Sequence, residues 1–540
     1  MTGLRRPALP TSSLEEAAEK NSMHKTLKWL PFAFLSALGA SLAWSNSTVD
    51  AAETPEPIRV GDEAKLIAAL DAIDADSISK DINVIASDEY GGRDTPSDGL
   101  TKTAEFIAGR LEELGLTKGY KDSYLYPYKL NHKGIIPEKS VLRFEAKGKK
   151  LDLEFGVAYT AFAPSLQDSK GSGKVVWFGS GTKEDFAKAS AKGRFAMVSF
   201  TPKATGRNMN RDIAALQQRA REQNAIGLII LPAPGTSPQD AAIRIKGTSE
   251  RLRTGYVSYP GGRSRGNRRS RPAFPTVILS SESADSVGEM IGAQDNSFFP
   301  AGKKLDLRAT TQHEFKGDDG QVEVNNVVGL WEGSDPKLKR EVIILSAHYD
   351  HVGWREDGQI HNGADDNGSG TCGLLALAGA LRTYGPMKRT VLLIWVSGEE
   401  KGLYGSKAWS EKPWLPRTFR PVANINIDMI GRNAPDKLMI TPTKEGRYSK
   451  MYNGIVRRAE ELREQEGFAK LESADVYYNR SDQANFAKLG IPVAFLFTDV
   501  HEDYHEVTDV PAKIDADKIR RVTRLVLRIL NTLQEKKLGV

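Results

Sequence analysis

Four short strand-like runs in the second half of the chain alternate with helical patterns, and this alternation restricts the fold more than any other feature. The runs are short enough for buried strands and lie at 342–346, 391–396, 424–428 and 492–497. Helical spacing of apolar residues predicts helices at 371–384, 402–409, 450–465, 482–489 and 516–534. Strands that alternate with helices form α/β domains, so we predict a mainly parallel central sheet flanked by helices.

The first half of the chain has a different pattern. Two helical stretches around a turn-rich loop occupy 76–119, and β-rich runs lie at 175–179, 195–200, 227–231 and 276–279. The 540 residues correspond to about three domains at roughly 150 residues each. We therefore predict a leader at 1–52, a first part of the α/β domain at 53–130, an inserted β-rich domain at 131–312 and the main part of the α/β domain at 313–540.

An apolar, uncharged run of 16 residues lies at 29–44. Basic residues precede this run and small residues come after it up to Ala52, which is typical of a secretory signal peptide. We predict secretion or export to a bacterial periplasm, with Met23 as the true start and no stable membrane anchor after cleavage. The alternative is an uncleaved anchor, although the run is short for a transmembrane helix and contains Pro31.

The positive charge of the chain is concentrated in one segment. The chain has 75 Lys and Arg against 69 Asp and Glu, a formal net charge of +6, and seven arginines lie between Arg251 and Arg271. We expect this segment to be a solvated loop and expect no nucleic-acid partner, with another anionic partner as the alternative. The single cysteine, Cys372, excludes an intramolecular disulfide and a Cys-rich zinc module.

Histidine and carboxylate residues stand directly after the predicted strands of the α/β domain. Ligands of open α/β sheets bind beyond the carboxyl ends of the strands, so these side chains are expected to meet there. Imidazole and carboxylate donors suit zinc, or else manganese or cobalt, and their number fits two ions that share a carboxylate. The candidates are His348, Asp350, Asp365, Asp366, Glu399, Glu400, Asp428, His501 and His505.

The ordered motifs resemble those of the co-catalytic di-zinc aminopeptidases, in the clan that includes glutamate carboxypeptidase and glutaminyl cyclase. The resemblance covers about 76–130 and 315–540, and the segment 131–312 resembles a protease-associated domain on less specific motifs. It implies a zinc exopeptidase fold, two Zn²⁺ as cofactors and peptides as substrates. The motifs are HYD at 348–350, GADDN at 363–367, GEE at 398–400, DMIG at 428–431, SDQ at 481–483 and YHEVTD at 504–509.

The resemblance implies a metal-binding role for five residues. His348 and Asp428 would bind one zinc, Glu400 and His505 would bind the other, and Asp365 would bridge the two.

The resemblance also implies the residues that act beside the metals. Glu399 would be the general base for an attacking water, and Asp350 would hydrogen-bond the far nitrogen of His348. Asp366 would follow the bridging Asp365, and a strained peptide bond would join the two residues. The loop histidines His351 and His361 are expected in the cleft wall.

Four further residues are candidates for substrate binding. Met429 is next to a predicted zinc ligand, Tyr478 and Arg480 precede the SDQ motif, and Gln483 stands where the family often has histidine. An aminopeptidase is the expected activity. A carboxypeptidase or dipeptidase of the same clan is the first alternative, and a glutaminyl cyclase and a non-enzymatic binding protein are the others.

Overall fold

The computed structural model describes residues 63–201, 207–261, 273–293, 299–317, 320–535 and 538. The predicted leader and arginines 263, 265, 268, 269 and 271 lie outside the described residues. In the described ranges, no helix is both long enough and apolar enough to span a membrane. The helices are α1 (Glu63–Asp71), α2 (Ala75–Ile85), α3 (Asp98–Glu113), α4 (Lys183–Phe186), α5 (Arg207–Glu222), α6 (Pro238–Thr254), α7 (Ser281–Ile291), α8 (Gly370–Tyr384), α9 (Tyr404–Glu411), α10 (Gly454–Leu462), α11 (Gln483–Ala487) and α12 (Ala516–Thr532).

The strands of the described residues belong to two large sheets and one short hairpin. They are β1 (Thr117–Lys118), β2 (Leu125–Lys133), β3 (Val141–Ala146), β4 (Lys149–Leu153), β5 (Tyr159–Ala161), β6 (Ser169–Trp177), β7 (Phe195–Ser199), β8 (Gly227–Leu231), β9 (Tyr256–Ser258), β10 (Thr276–Leu279), β11 (Lys304–His313), β12 (Gln321–Trp331), β13 (Glu341–His348), β14 (Gly353–Trp354), β15 (Ile360–His361), β16 (Thr390–Val396), β17 (Arg420–Ile427), β18 (Met439–Thr441), β19 (Glu472–Ser473) and β20 (Val493–Phe497).

The main sheet has the strand order β19-β18-β20-β17-β13-β16-β12-β2-β9, and β1 also pairs with β12. Its central strands β20, β17, β13 and β16 are parallel. Antiparallel strands join this centre on both sides, β12 next to β16 and β18 next to β20. The predicted α/β class is therefore confirmed, but the sheet is mixed rather than mainly parallel, because β12 and β18 run against their central neighbours.

Helices cover the parallel centre of the main sheet. All residues of β16 and β20 are buried, as expected for parallel strands that are covered on both faces. Helix α8 packs against β13 and β16, and α12 packs against α8, α2 and α10. Asp515 caps α12 by accepting a hydrogen bond from the backbone N–H of Lys518 at 2.9 Å. This packing fixes the loops that leave the carboxyl ends of the parallel strands.

The second sheet has the order β4-β3-β11-β6-β7-β8-β10-β5, with β6, β7, β8 and β10 parallel. Its strands lie between Val141 and His313, and we call residues 141–313 the second-sheet region. Between β2 and β12 the chain forms this region, which also adds the edge strand β9 to the main sheet beside β2, and β2 and β12 themselves pair with Asn131 opposite Gln321. The region thus begins and ends beside one antiparallel pair of the main sheet.

The second-sheet region contacts the short hairpin β14–β15 close to the strand ends of the main sheet. Arg251 donates a hydrogen bond from Nη1 to the carbonyl oxygen of Trp354 at 3.2 Å. Thr248 and Asn210 both hydrogen-bond Glu356, at 3.2 and 3.0 Å. A polar contact therefore joins this region to the loop after β13.

Candidate metal centre

The first candidate ligand lies where β13 ends. His348 is 1% exposed, and its Nδ1 lies 3.1 Å from the carbonyl oxygen of Asp350. Its Nε2 lies 3.2 Å from Oδ1 of Asp428 and 3.5 Å from Oδ1 of Asp366. One ring nitrogen thus meets a backbone acceptor while the other faces two carboxylates, the arrangement typical of a metal-ligating histidine.

The Asp350 carboxylate has a different contact from the one implied by the resemblance. Its Oδ1 is 3.7 Å from Nδ1 of His348, so the backbone carbonyl rather than the carboxylate meets that nitrogen. The carboxylate accepts hydrogen bonds from the backbone N–H of Glu399 and from Oγ1 of Thr95, each at 3.1 Å. The side chain of Asp350 therefore positions the loop that carries Glu399.

A wide helical turn at 364–369 carries the adjacent carboxylates Asp365 and Asp366. The backbone N–H groups of both residues donate to the carboxylate of Asp509 at 3.0–3.1 Å. Oδ1 of Asp365 accepts a hydrogen bond from the backbone N–H of Gly431 at 2.7 Å. The peptide bond between Asp366 and Asn367 is cis. Of the two side chains, that of Asp366 meets the other candidate ligands.

The two glutamates come after β16 and Gly398, which has a left-handed φ of 69°. Glu400 reaches two histidines, with Oε1 at 2.9 Å from Nδ1 of His351 and Oε2 at 3.1 Å from Nε2 of His505. Glu399 lines the same cleft as Glu400. The adjacent glutamates thus have different neighbours, and Glu400 is the one that contacts imidazoles.

The carboxylate of Asp428 stands just beyond β17. Its Oδ2 accepts a hydrogen bond from the Ser481 hydroxyl at 2.7 Å, which leaves Oδ1 beside His348. The next residue, Met429, has a left-handed φ of 50°, and its backbone N–H donates to the Asn367 side chain at 3.1 Å. These contacts hold the chain where it turns away from the strand.

The last candidate ligand, His505, lies in the loop between β20 and α12 and has a left-handed φ of 56°. Its ring stacks on Tyr504 with centroids 3.9 Å apart. Its Nε2 lies 3.1 Å from both Asp366 Oδ2 and Glu400 Oε2. This nitrogen is buried and makes no hydrogen bond, although two carboxylates face it.

The side chains form two donor sets that share one carboxylate. The donor atoms within each set lie within 4.8 Å of one another. Where thiolates are absent, zinc in proteins is bound by imidazole nitrogens and carboxylate oxygens. The buried Nε2 of His505 makes no hydrogen bond, which fits a nitrogen that binds a cation. The donor chemistry thus supports zinc. The sets are His351, Asp366, Glu400 and His505, and His348, Asp366 and Asp428.

The electrostatics of the centre reflect the concentration of buried acids. Burial and then Glu400 raise the pKa of Asp366. Burial also raises the pKa of Glu399 well above its usual range, although His348 opposes the rise. Burial lowers the pKa of His505, but the carboxylates of Asp366 and Glu400, each 3.1 Å from its Nε2, raise it more, to about 10. A divalent cation neutralises such a group of carboxylates.

The structure corrects the predicted bridging residue. Asp366, and not Asp365, is the carboxylate shared by the two donor sets. Oδ2 of Asp365 lies 3.2 Å from His501 Nε2 instead, behind the centre, because Oδ1 is held by the backbone of Gly431. The sequence contains both adjacent acids, and only the backbone of the turn determines which of them faces the cleft.

His351 is a member of the first donor set that the ligand prediction omitted. It is fully buried, and burial lowers the pKa of its imidazole to about 3. The signal in the sequence is a histidine three residues after His348, in a loop that already carries candidate ligands.

The cleft over the donor sets has a volume of about 410 Å³ and an apolar wall. Met429, Phe495, Phe497 and Tyr477 belong to a common apolar cluster, and all four line the cleft. Arg480 lines it as well. Of the predicted substrate-binding residues, Met429 and Arg480 therefore face the site.

Tyr478 and Gln483 do not line the cleft. The Tyr478 ring is 5% exposed and stacks on Tyr448 with centroids 4.1 Å apart. The buried Gln483 side chain donates to the carbonyl oxygen of Tyr478 at 2.8 Å and accepts from Asn426 at 3.0 Å. Both predictions differ from the structure because the turn at 475–477 directs Tyr477, rather than its neighbour, toward the site.

A mixed α/β sheet with imidazole and carboxylate donors at its strand ends has the site composition of a metal-dependent hydrolase. Residues 326–530 match the family model of peptidase family M28. Over these residues the chain is similar to peptidase family M28, and the predicted resemblance to this family and the metallopeptidase class are confirmed.

Several proteins of known name are similar to this chain. A probable leucine aminopeptidase of Trichophyton verrucosum is 24% identical over 361 residues, which are 63% of this chain and 94% of the relative. A probable glutamate carboxypeptidase of Arabidopsis thaliana is 23% identical over 367 residues, 64% of this chain and 50% of the relative. A zinc aminopeptidase from Bacillus subtilis has a solved structure that is similar with a TM-score of 0.43 and 18% identity, covering 86% of this chain and 97% of that one. The chain thus spans nearly all of the first relative and half of the second.

Proposed function

We propose that this protein is an exported aminopeptidase that uses two zinc ions to remove single residues from the N-termini of peptides. The observation that carries this proposal is the sharing of Asp366 by two donor sets, with Glu399 in the lining of the same cleft. A carboxylate shared between two ions is the arrangement used by two-metal hydrolases. The name of the first relative, a probable leucine aminopeptidase, supports the same activity.

The donor sets assign the ligands of each ion in this proposal. One ion would be held by His348, Asp428 and Asp366, and the other by Asp366, Glu400 and His505. Zinc at these positions supplies Lewis acidity to an attacking water and to the peptide carbonyl.

Glu399 is proposed as the general base. Its carboxylate takes a proton from the attacking water, the water oxygen forms a bond to the carbonyl carbon, and the C–N bond then breaks. Glu399 returns the proton to the leaving amine, so the products are a free amino acid and a peptide shorter by one residue. Asp350 supports this role because it accepts a hydrogen bond from the backbone N–H of Glu399.

The cleft supports the choice of the N-terminus. Glu399 lies in the lining but belongs to neither donor set, so its carboxylate can attract the ammonium group of a peptide N-terminus. The apolar wall of Met429, Phe495 and Phe497 favours an apolar first side chain.

Metal analysis combined with a substrate series tests this proposal. We expect two equivalents of zinc and hydrolysis of free aminoacyl substrates with apolar first residues, and no hydrolysis of the same peptides after N-acetylation. Hydrolysis of the acetylated peptides alone would overturn the aminopeptidase assignment, and a protein that binds no divalent metal would overturn the metallopeptidase mechanism.

A carboxypeptidase is the second candidate, and Arg480 is the observation that favours it. Its guanidinium lies in the lining of the same cleft, 5.6 Å from the Tyr477 ring centroid, and is available to a substrate carboxylate. The second relative is named a probable glutamate carboxypeptidase. Arg480→Gln separates the candidates: a carboxypeptidase would lose about 10- to 100-fold in kcat/KM for peptides with a free C-terminus, as expected for loss of about 1.5–3 kcal/mol in one charged hydrogen bond. An aminopeptidase would retain its rate on aminoacyl amides.

The domain division and the export signal remain part of the proposal. Residues 131–312 are proposed as an inserted protease-associated domain that limits the size of substrates, supported by its contact with the hairpin beside the cleft. Replacing the region by a short turn between β2 and β12 should widen the size range of cleaved peptides. Cleavage of the leader is tested by sequencing the N-terminus of the exported protein, which is expected near Glu53.

A further inference from the structure

One buried side chain at the centre has no role in the function proposed above. His351 is 0% exposed and stands three residues after His348. Its Nδ1 lies 2.9 Å from Glu400 Oε1 and 3.7 Å from Asp366 Oδ2, and its ring centroid is 5.5 Å from that of His505. The side chain therefore faces every member of the Glu400 donor set.

We propose that His351 is a fourth protein ligand of the zinc ion held by Asp366, Glu400 and His505, an inference that rests on the metal-dependent function proposed above. The four donor atoms lie within 4.8 Å of one another. Zinc binds nitrogen and oxygen donors at about 2.0–2.2 Å, so neighbouring donors of one tetrahedral ion are about 3.4 Å apart. The Nδ1 of His351 lies at similar separations from Glu400 Oε1 and Asp366 Oδ2, 2.9 and 3.7 Å.

A competing role for His351 is a hydrogen bond from Nδ1 to Glu400. In that role the opposite nitrogen, Nε2, would be a buried acceptor without a partner, because it makes no hydrogen bond. A buried polar atom without a partner costs about 1–3 kcal/mol. Coordination through Nδ1 gives the side chain a stronger interaction that offsets this cost.

The consequence is an asymmetric pair of sites. The Glu400 set supplies four protein donors, a full tetrahedral complement, whereas the His348 set supplies three and leaves a position open. The first zinc equivalent is therefore expected to fill the Glu400 set. The second, more weakly held equivalent is expected to fill the His348 set and to be the one that exchanges.

The experiment measures metal affinity rather than activity. Zinc is removed from the full-length protein, and Zn²⁺ and Co²⁺ are titrated back in competition with a chromophoric chelator. The variants are His351→Asn, whose amide keeps a donor near the position of Nδ1 but is a poor zinc ligand, and His351→Ala. His361→Asn, a histidine of the adjacent hairpin outside both donor sets, is the matched control.

We expect the wild type and His361→Asn to bind two ions in two resolved steps. Both His351 variants should lower the affinity of the tighter zinc-binding step more than about tenfold. Loss of a residue that only hydrogen-bonds a ligand already costs about 10- to 100-fold in metal affinity, and loss of a ligand should cost at least as much. The visible spectrum of the first Co²⁺ equivalent should lose intensity as one donor is removed. The affinity for the second, more weakly bound ion should be unchanged in the variants, and this result would show that they are folded.

Two results would overturn the inference, and they are distinguishable from failure of the proposed function. If His351→Asn kept the tight step and the Co²⁺ spectrum while His351→Ala lost them, His351 would be a hydrogen-bond donor to Glu400 only. If both variants kept them, His351 would have no role in binding the ion. A wild type that binds no metal would instead remove the proposed function and the inference together.

Discussion

The two sheets have a similar parallel centre but differ in the residues that stand at the carboxyl ends of their strands. In the main sheet, β13, β16 and β17 run into His348, Glu399 and Asp428. In the second sheet, β7 and β8 are fully buried and β10 is buried except at Ile278, but these strands run into Phe200, Pro232 and Ser280. Both donor sets detected in the described residues belong to the main sheet. Parallel topology provides a convergent edge, and the residue type at that edge determines whether the edge binds a metal.

Two histidines show the same contrast in electrostatic terms. His313 is buried in the second-sheet region near Tyr159, and burial lowers its pKa to about 4. The side chain of His505 is 36% exposed, and the carboxylates that face it raise its pKa to about 10. A histidine that faces carboxylates at a strand end is therefore a candidate ligand, whereas a histidine enclosed without them belongs to a core.

The strongest test of the comparison removes the shared carboxylate. Asp366→Asn should abolish binding of both ions and reduce hydrolysis to the uncatalysed level, because both donor sets lose a ligand. Metal content by mass spectrometry and kcat/KM measure the two effects. Asp365→Asn is the adjacent control, and it should retain both ions; the reverse outcome would return the bridging role to Asp365.

A second test separates chemistry from metal binding within the main sheet. Glu399→Gln should lower kcat by about 100- to 10,000-fold, the range for loss of a general base, with two ions still bound. Single-turnover kinetics and metal content measure this. The exposed Glu502→Gln serves as a control for charge. Full activity of the Glu399 variant with both metals present would exclude Glu399 as the base.

A third test concerns the second-sheet region. Phe195 is fully buried in its core, and its truncation to Ala should cost about 3–5 kcal/mol in free energy of unfolding. Chemical denaturation measures this loss, and the metal content of the folded protein should be unchanged. The exposed Val157→Ala should change stability by less than about 0.5 kcal/mol. Loss of metal from the folded Phe195 variant would show that the two sheets are not independent in function.

The smallest expected effect concerns the contact between the region and the hairpin. Arg251 is half exposed and donates to the Trp354 carbonyl, with its Nε 3.6 Å from Glu356. Arg251→Gln should change the free energy of unfolding by less than about 1 kcal/mol and leave kcat/KM for aminoacyl amides unchanged. The exposed Arg308→Gln is the control. A large loss of activity in the Arg251 variant would mean that the hairpin positions the site.

The sequence predicts the strands that carry the site because buried parallel strands are continuous apolar runs. The run at 342–346 lies within β13, and the run at 391–396 lies within β16. The ends of helices are harder to predict from the sequence than the strands. The helix predicted at 450–465 begins only at Gly454, because the Asn453 side chain caps it by accepting from Ile455 N–H at 2.9 Å.

The relations that the sequence does not reveal depend on backbone direction and long-range pairing. Asp365 and Asp366 are chemically identical, and the hydrogen bonds to Asp509, 143 and 144 residues away, determine which one faces the cleft. The antiparallel flank of the main sheet depends on β2 and β12 meeting across the whole second-sheet region. Neither relation leaves a local pattern in the chain.

The pairing of the first and last helices has a consequence for the order in which the protein forms. Arg524 in α12 donates a hydrogen bond to the carbonyl oxygen of Leu70 in α1, across 454 residues of chain. At about 5–20 residues per second, a ribosome completes α12 roughly 20–90 s after α1. The second-sheet region can fold in that interval, whereas the donor sets are complete only once His505 has been made. The nascent chain therefore has no assembled centre until both the second-sheet region and the segment with His505 have been made, and its hydrolytic capacity arises in one step.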